Sequence, residues 1–125
     1  MSYNSTGLDS VKIKFSTDLC DEYNIDFLAL QEHFKFVNID KTFRRGYSDF
    51  HSYVKPGYRA QGQFSGRAKA GIAQISRKRY NIKRVRVTTT GFRVQAQVLV
   101  LPESRVLWLN TYLPTDPQLQ QYDDG

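Results

Sequence analysis

The chain has 125 residues, 40% of them apolar, with a net charge of +6 and a mean hydropathy of −0.54, the profile of one soluble globular domain or part of one. No apolar run is long enough to cross a bilayer and the first residues, MSYNSTGLDS, are not signal-like, so the expectation is an intracellular protein of nucleus or cytoplasm with no membrane partner. One cysteine, Cys20, allows no internal disulfide, and two histidines, His33 and His51, give no zinc-ligand spacing.

In chain order, Tyr3-Asn4 followed by Ser-Thr-Gly reads as a strand end entering a turn. LDSVKIKFSTDLCDEY then predicts a helix capped by Asp9 or Ser10, with Val11, Phe15, Leu19 and Tyr23 as its apolar face. NIDFLALQE predicts a buried strand that ends abruptly on Gln31, Glu32 and His33. Strand, helix, strand in this order predicts parallel neighbours joined by a right-handed crossover. Residues 36–66, rich in Gly, Pro, Ser, Tyr and Arg, read as an irregular excursion. KAGIAQIS resumes a strand and YNIKRVRVTTT supplies another. FRVQAQVLVLP alternates Phe92, Val94, Ala96, Val98 and Val100 against Arg93, Gln95 and Gln97, and Pro102-Glu103-Ser104 turns it into SRVLWLNTYLP as a hairpin.

Charge is distributed unevenly. Residues 1–40 carry three basic and seven acidic residues, residues 41–86 carry thirteen basic residues against Asp49 alone, and residues 87–125 carry two basic and four acidic. The central block is mostly arginine interleaved with Tyr47, Tyr53, Tyr58, Phe64 and Tyr80. Arginine presents a planar fork of donors to phosphate and aromatic rings stack on bases, so this block points to a nucleic-acid partner, DNA first. A solvated basic surface of no specific use is the bland alternative.

Catalysis by a nucleophilic side chain finds no support: there is no G-x-S-x-G elbow, and GQFSGRAKAG does not match a Walker-type phosphate loop. What stands out is polar residues at the ends of apolar strands: Asn4, Glu32, and Asn110 with Tyr112. Strand ends of one sheet converge on one edge, where oxygen donors suit a hard divalent ion. Taken singly, each is better read as a turn or strand-exit residue.

In order, SYNSTGL before a helix, IDFLALQEH, GRAKAGIA and LWLNTYLPTDP resemble the endonuclease/exonuclease/phosphatase superfamily, and most closely the endonuclease domains of non-LTR retrotransposons. The resemblance implies an α/β fold, a four-layer α/β sandwich of which residues 1–125 would form the N-terminal portion. It implies a Mg²⁺- or Mn²⁺-dependent phosphodiesterase that hydrolyses nucleic-acid phosphodiester bonds. Glu32 would hold the ion, Asn4 would lie beside the ion and the scissile phosphate, and Tyr112 would position that phosphate. Arg67, Lys69 and the run Arg77-Lys78-Arg79 are candidates for contacts to the nucleic-acid backbone. His33 receives no catalytic role, Ala70 stands where the family often has a second glycine before Gly71, and Thr115 replaces an Asn that commonly follows Y-x-P.

The family's later G-D-x-N and D-H motifs have no counterpart in this sequence, so the C-terminal catalytic half is expected to be absent and the isolated chain to be inactive or nearly so. Three other readings stay open. The chain is a non-catalytic nucleic-acid-binding fragment, or a phosphatase or phospholipid phosphodiesterase of the same superfamily, or an element remnant without function.

Overall fold

The structure, a computed structural model, describes residues 1–36, 39–57, 70–87 and 94–112. The elements are β1 (Ser2–Asn4), α1 (Ser10–Glu22), β2 (Phe27–Gln31), α2 (Ile39–Gly46), β3 (Phe50–Lys55), β4 (Ile72–Arg77), β5 (Asn81–Val85), β6 (Val94–Val100) and β7 (Arg105–Thr111). They form a four-stranded sheet in the order β1-β2-β4-β3 and a three-stranded sheet in the order β5-β6-β7. β1 and β2 run parallel, as the strand–helix–strand reading predicts, and every other pair is antiparallel.

Alternation along β2 and β4 divides the chain into layers. Leu28, Leu30, Ala73 and Ile75 turn to the helices and form the apolar core with Cys20, Phe43, Tyr47 and Phe50. Phe27, on the opposite face, meets the edge of Trp108 on β7 at 5.4 Å. The described residues therefore show three layers: helices, four-stranded sheet, three-stranded sheet.

α1 starts where expected. Asp9 is its N-cap, accepting from the Lys12 amide at 2.8 Å. Its buried face is not the expected one. Val11 and Phe15 are 74% and 52% exposed and Tyr23 is exposed, whereas Ser16 and Cys20 are fully buried. The row Val11, Phe15, Leu19, Tyr23 drifts about 40° per step around a helix of 3.6 residues per turn, so it does not hold one face against the sheet. The face that does carries Ile13, Ser16 and Cys20. Ser16 suits an interior position because its Oγ meets the Tyr47 hydroxyl at 2.8 Å and donates to the Ile13 carbonyl. Burial pushes the Tyr47 phenol up to about 12.

Two elements lie in the stretch read as irregular. α2 has a single fully buried anchor, Phe43, on a helix that opens with the half-buried Ile39 and is otherwise charged, polar or glycine. β3 forms the edge of the four-stranded sheet against β4, from Phe50 opposite Arg77 to Lys55 opposite Ile72.

The two sheets meet through amide side chains. On β6 it is the glutamine face that turns to the other sheet: Gln95 Nε2 donates to the Tyr53 carbonyl at 2.8 Å. Gln74 Nε2 crosses the other way to the Trp108 carbonyl at 3.0 Å. Asn110, 2% exposed, donates through Nδ2 to Gln95 Oε1 and to the carbonyls of Leu30 and Ala73, while its Oδ1 accepts from Gln31 Nε2 at 2.9 Å. The β6–β7 hairpin closes as predicted, with the Leu101 amide donating to the Ser104 carbonyl.

Candidate metal and phosphate site

The ends of β1, β2 and β7 and the start of β4 come together at one end of the sheets. Asn4 lies opposite Gln31 in the parallel pair, and Gln31 lies opposite Ile72 in the antiparallel one. Glu32 follows at once and leaves the strand in the left-handed region, with φ 55°. Thr6, Phe34 and Ala70 share that region at φ 47°, 59° and 59°. Each such residue costs about 1–3 kcal/mol and persists only where its surroundings fix it.

Here the surroundings are hydrogen bonds from two sides. From the β1 side, the amides of Ser5 and Gly7 donate to the carbonyls of Gln31 and Glu32 at 3.0 and 2.7 Å, and the Leu8 amide donates to His33. From the β4 side, the His33 and Phe34 amides donate to the carbonyls of Gly71 and Ala70. Ser5 Oγ adds bonds to the Gln31 and Glu32 carbonyls at 3.1 Å. Lys12 Nζ, from α1, donates to the carbonyls of Ser5, Thr6 and Gly7 and so ties down the turn that follows Asn4.

His33 is a scaffold residue. It is fully buried, Nδ1 accepts from the Lys35 amide at 2.9 Å, and Nε2 therefore carries the proton it donates to the Lys55 carbonyl at 2.8 Å. Burial lowers its pKa to about 4. Its ring lies directly over Gly71, where any Cβ would come within 2.2 Å of Cε1. The glycine before β4 is thus required by the histidine after Glu32.

Tyr112 reaches across from the three-stranded sheet and donates its hydroxyl to Glu32 Oε1 at 2.8 Å. One step inside, Gln31 meets Asn110. The consecutive pair on β2 is thereby matched to the alternate pair at the end of β7. The Glu32 side chain is partly exposed, and Oε2 has no hydrogen-bond partner among the described residues.

Asn4 is exposed, and its Oδ1 accepts from both the amide and the hydroxyl of Thr6 at 3.1 and 3.2 Å. Its Nδ2 makes no hydrogen bond among the described residues. Asn110, which the strand-end pattern groups with these residues, is turned inward.

The basic candidates are distributed differently. Arg67 and Lys69 lie outside the described residues. Arg77 is the far end of β4 from Glu32, opposite Phe50, and it pairs with Asp21 at 2.9 Å while lying 4.4 Å over the Phe50 ring. Arg79 pairs with Asp26, to which the Tyr80 hydroxyl also donates. The structure therefore does not bring the 77–79 run to the Glu32 end. Gln31, Ser5 and Lys12, which hold Glu32 and the Asn4 turn, escape single-residue reading because each is an ordinary polar residue whose partner is remote in sequence or a backbone group.

The donor set fits a hard cation in part. One carboxylate with a free oxygen suits an octahedral ion that keeps most of its waters and takes substrate oxygens. Among the described residues no group of three or more His, Cys, Asp or Glu comes together, and Glu32 is the carboxylate that these strand ends present.

No protein family and no curated protein matches the sequence. A solved structure does: an AP endonuclease from Leishmania major, similar over 97% of this chain at a TM-score of 0.66 and 18% identity. The chain shares the α/β fold of the matched part of that structure. The chain spans 46% of that structure's length, and the similarity agrees with the α/β architecture implied by the endonuclease/exonuclease/phosphatase resemblance. No helix among the described residues is long and apolar enough to cross a membrane.

Proposed function

We propose that this chain forms part of an endonuclease-type domain that hydrolyses nucleic-acid phosphodiester bonds, DNA first, with Mg²⁺ or Mn²⁺. The observation that carries this reading is the hydrogen bond from Tyr112 to Glu32. It joins two residues, 80 positions apart, that the family resemblance assigns to one site.

Glu32 would hold the ion through its carboxylate, whose orientation Tyr112 fixes by donating to Oε1. When bound, a divalent ion supplies positive charge that polarises a phosphoryl oxygen and stabilises the leaving oxygen. Asn4, held by Thr6 through Oδ1, donates through Nδ2 to a non-bridging phosphate oxygen. The strained, doubly clamped backbone keeps these groups in place before substrate arrives, so little reorganisation is needed on binding. Arg67, Lys69 and Lys78 are retained as backbone contacts. Arg77 and Arg79 spend their charge on Asp21 and Asp26, which leaves them the weakest of the five candidates.

A nucleic-acid binder without catalysis is the second reading, favoured because no group of three or more His, Cys, Asp or Glu comes together among the described residues. Two measurements separate them. Tb³⁺, a hard-ion probe whose emission is sensitised by a nearby phenol, should light up on the wild-type chain, lose most of its signal in Glu32→Gln, and be displaced by Mg²⁺. Nicking of supercoiled plasmid that requires both Mg²⁺ and Glu32 establishes the enzyme. DNA binding with neither Tb³⁺ emission nor nicking leaves only the binder.

A further inference from the structure

Away from Glu32, a cavity of about 400 Å³ opens between α2, the β3 edge and β5. Arg44, His51, Lys78 and Arg84 line it, with Asp40 as the lone carboxylate. Each of these four side chains arrives from a different element. Arg44 follows the buried anchor Phe43 and is exposed at the end of α2. His51 projects from the edge strand. Lys78 sits in the tight turn between β4 and β5, flanked by two arginines that turn away to Asp21 and Asp26. Arg84, on β5, lies 4.5 Å over the Tyr53 ring and donates one N–H to the Ser52 carbonyl at 3.1 Å.

Neither Arg44 nor Lys78 forms an ion pair among the described residues, and Arg84 uses one of its five donors. Among the described residues these charges are thus gathered without ion pairs, in a concave site where the protein walls weaken solvent screening. Such a site fits an anion that presents several oxygens in a row.

We propose that this groove binds the phosphate backbone of a nucleic-acid strand, as a track separate from the Glu32 end. The proposal rests on the nucleic-acid reading above and extends it to residues outside the strand-end site. β3 is two strands from β2, about 10 Å across the sheet, and His51, in register with Ser76 and through it with Phe27, lies about 17 Å further along the strands from Glu32. Duplex phosphates on one strand recur every ~3.4 Å along the axis, so a strand running obliquely over the sheet reaches both places, about 20 Å apart, in about six nucleotides. A plain structural role is also open to these cations, since charge on an edge strand discourages sheet-to-sheet pairing. The two roles make different predictions about binding.

The test is fluorescence anisotropy of a labelled 20-mer DNA duplex against salt concentration, without added metal. Arg44→Gln/Lys78→Gln leaves Arg84 and its packing in place. It should weaken binding at low salt at least about tenfold and lower the slope of log K against log salt by about 1.8, or roughly 0.9 per phosphate contact. Lys14→Gln/Arg105→Gln, which carries the same change in net charge on exposed positions elsewhere, should change the slope by much less. Glu32→Gln should bind like wild type, so a failure of the Glu32 site and a failure of the groove are told apart. Circular dichroism checks that the groove variant is folded. Equal losses in the two double variants would show attraction to the overall charge and overturn the proposal. So would an unchanged slope in a folded groove variant, or a groove-dependent preference for anionic lipid vesicles over DNA.

Discussion

Replacing Gly71 with alanine probes how the Glu32 end is built. A Cβ there would lie 2.2, 2.5 and 2.7 Å from Cε1, Nδ1 and Nε2 of His33. The imidazole has no room to retreat, because both nitrogens are hydrogen-bonded and Phe43 stands edge-on at 5.3 Å. Overpacking of this kind costs about 1–3 kcal/mol. The backbone adds to it, since Gly71 has φ +92°, a conformation that costs an alanine about 1–2 kcal/mol. The expected loss is about 4 kcal/mol, a large fraction of the ~5–15 kcal/mol that holds a domain together. Urea unfolding followed by Trp108 fluorescence and circular dichroism measures it, with sucrose present to keep the weaker variants folded. The decisive comparison repeats the substitution on His33→Ala. Without the imidazole only the backbone part remains, so the cost should fall to about 1–2 kcal/mol and the cycle should show coupling of about 2 kcal/mol. Equal costs on the two backgrounds would refute the packing argument.

Acid should weaken the fold through the same histidine. His33 is lowered to about 4 against an ordinary 6.5, so the unfolded chain takes up the proton first. The stabilisation is full above about pH 6.5 and is lost as pH falls toward 4, amounting to about 2.5 kcal/mol by pH 4.5. Urea midpoints at pH 7.5 and 4.5 should therefore differ more in wild type than in His33→Gln; identical differences would rule the histidine out as the cause. Asn110→Leu keeps the branched shape but takes the partner from Gln31 Nε2 and from the buried Gln95 Oε1, at a cost of about 2–4 kcal/mol. Its urea midpoint checks this, and a loss under about 0.5 kcal/mol would mean the amide network is dispensable.

The sequence reveals strong, local patterns and conceals weak or remote ones. β1, α1, β2, β4 and the β6–β7 hairpin all follow from periodicity and turn residues. α2 and β3 do not, because a helix of eight residues with one apolar anchor and an edge strand reading Phe-His-Ser-Tyr-Val-Lys have no regular alternation to detect. The buried face of α1 is hidden for a related reason. Its interior positions include Ser16, which is satisfied by Tyr47, and hydropathy ranks Val11 and Phe15 above it. At the site, a single strand-end carboxylate has no diagnostic pattern, so the pairing of Glu32 with Tyr112 was legible only through the family resemblance. The groove was concealed because its polar lining comes from four separate elements.

The amide seam between the sheets has a consequence for how the chain finds its fold. Two greasy faces can stack in many alignments of similar energy, since dispersion contacts are undirected. Asn110 and its four partners cannot. A displacement of either sheet by one residue pair separates donors from acceptors in a place water does not reach, and each orphaned group raises the energy of the wrong alignment by about 1–3 kcal/mol. The seam therefore works like the wards of a lock, admitting one alignment and penalising its neighbours. That alignment is the one in which the last residue of the hairpin, Tyr112, arrives opposite Glu32.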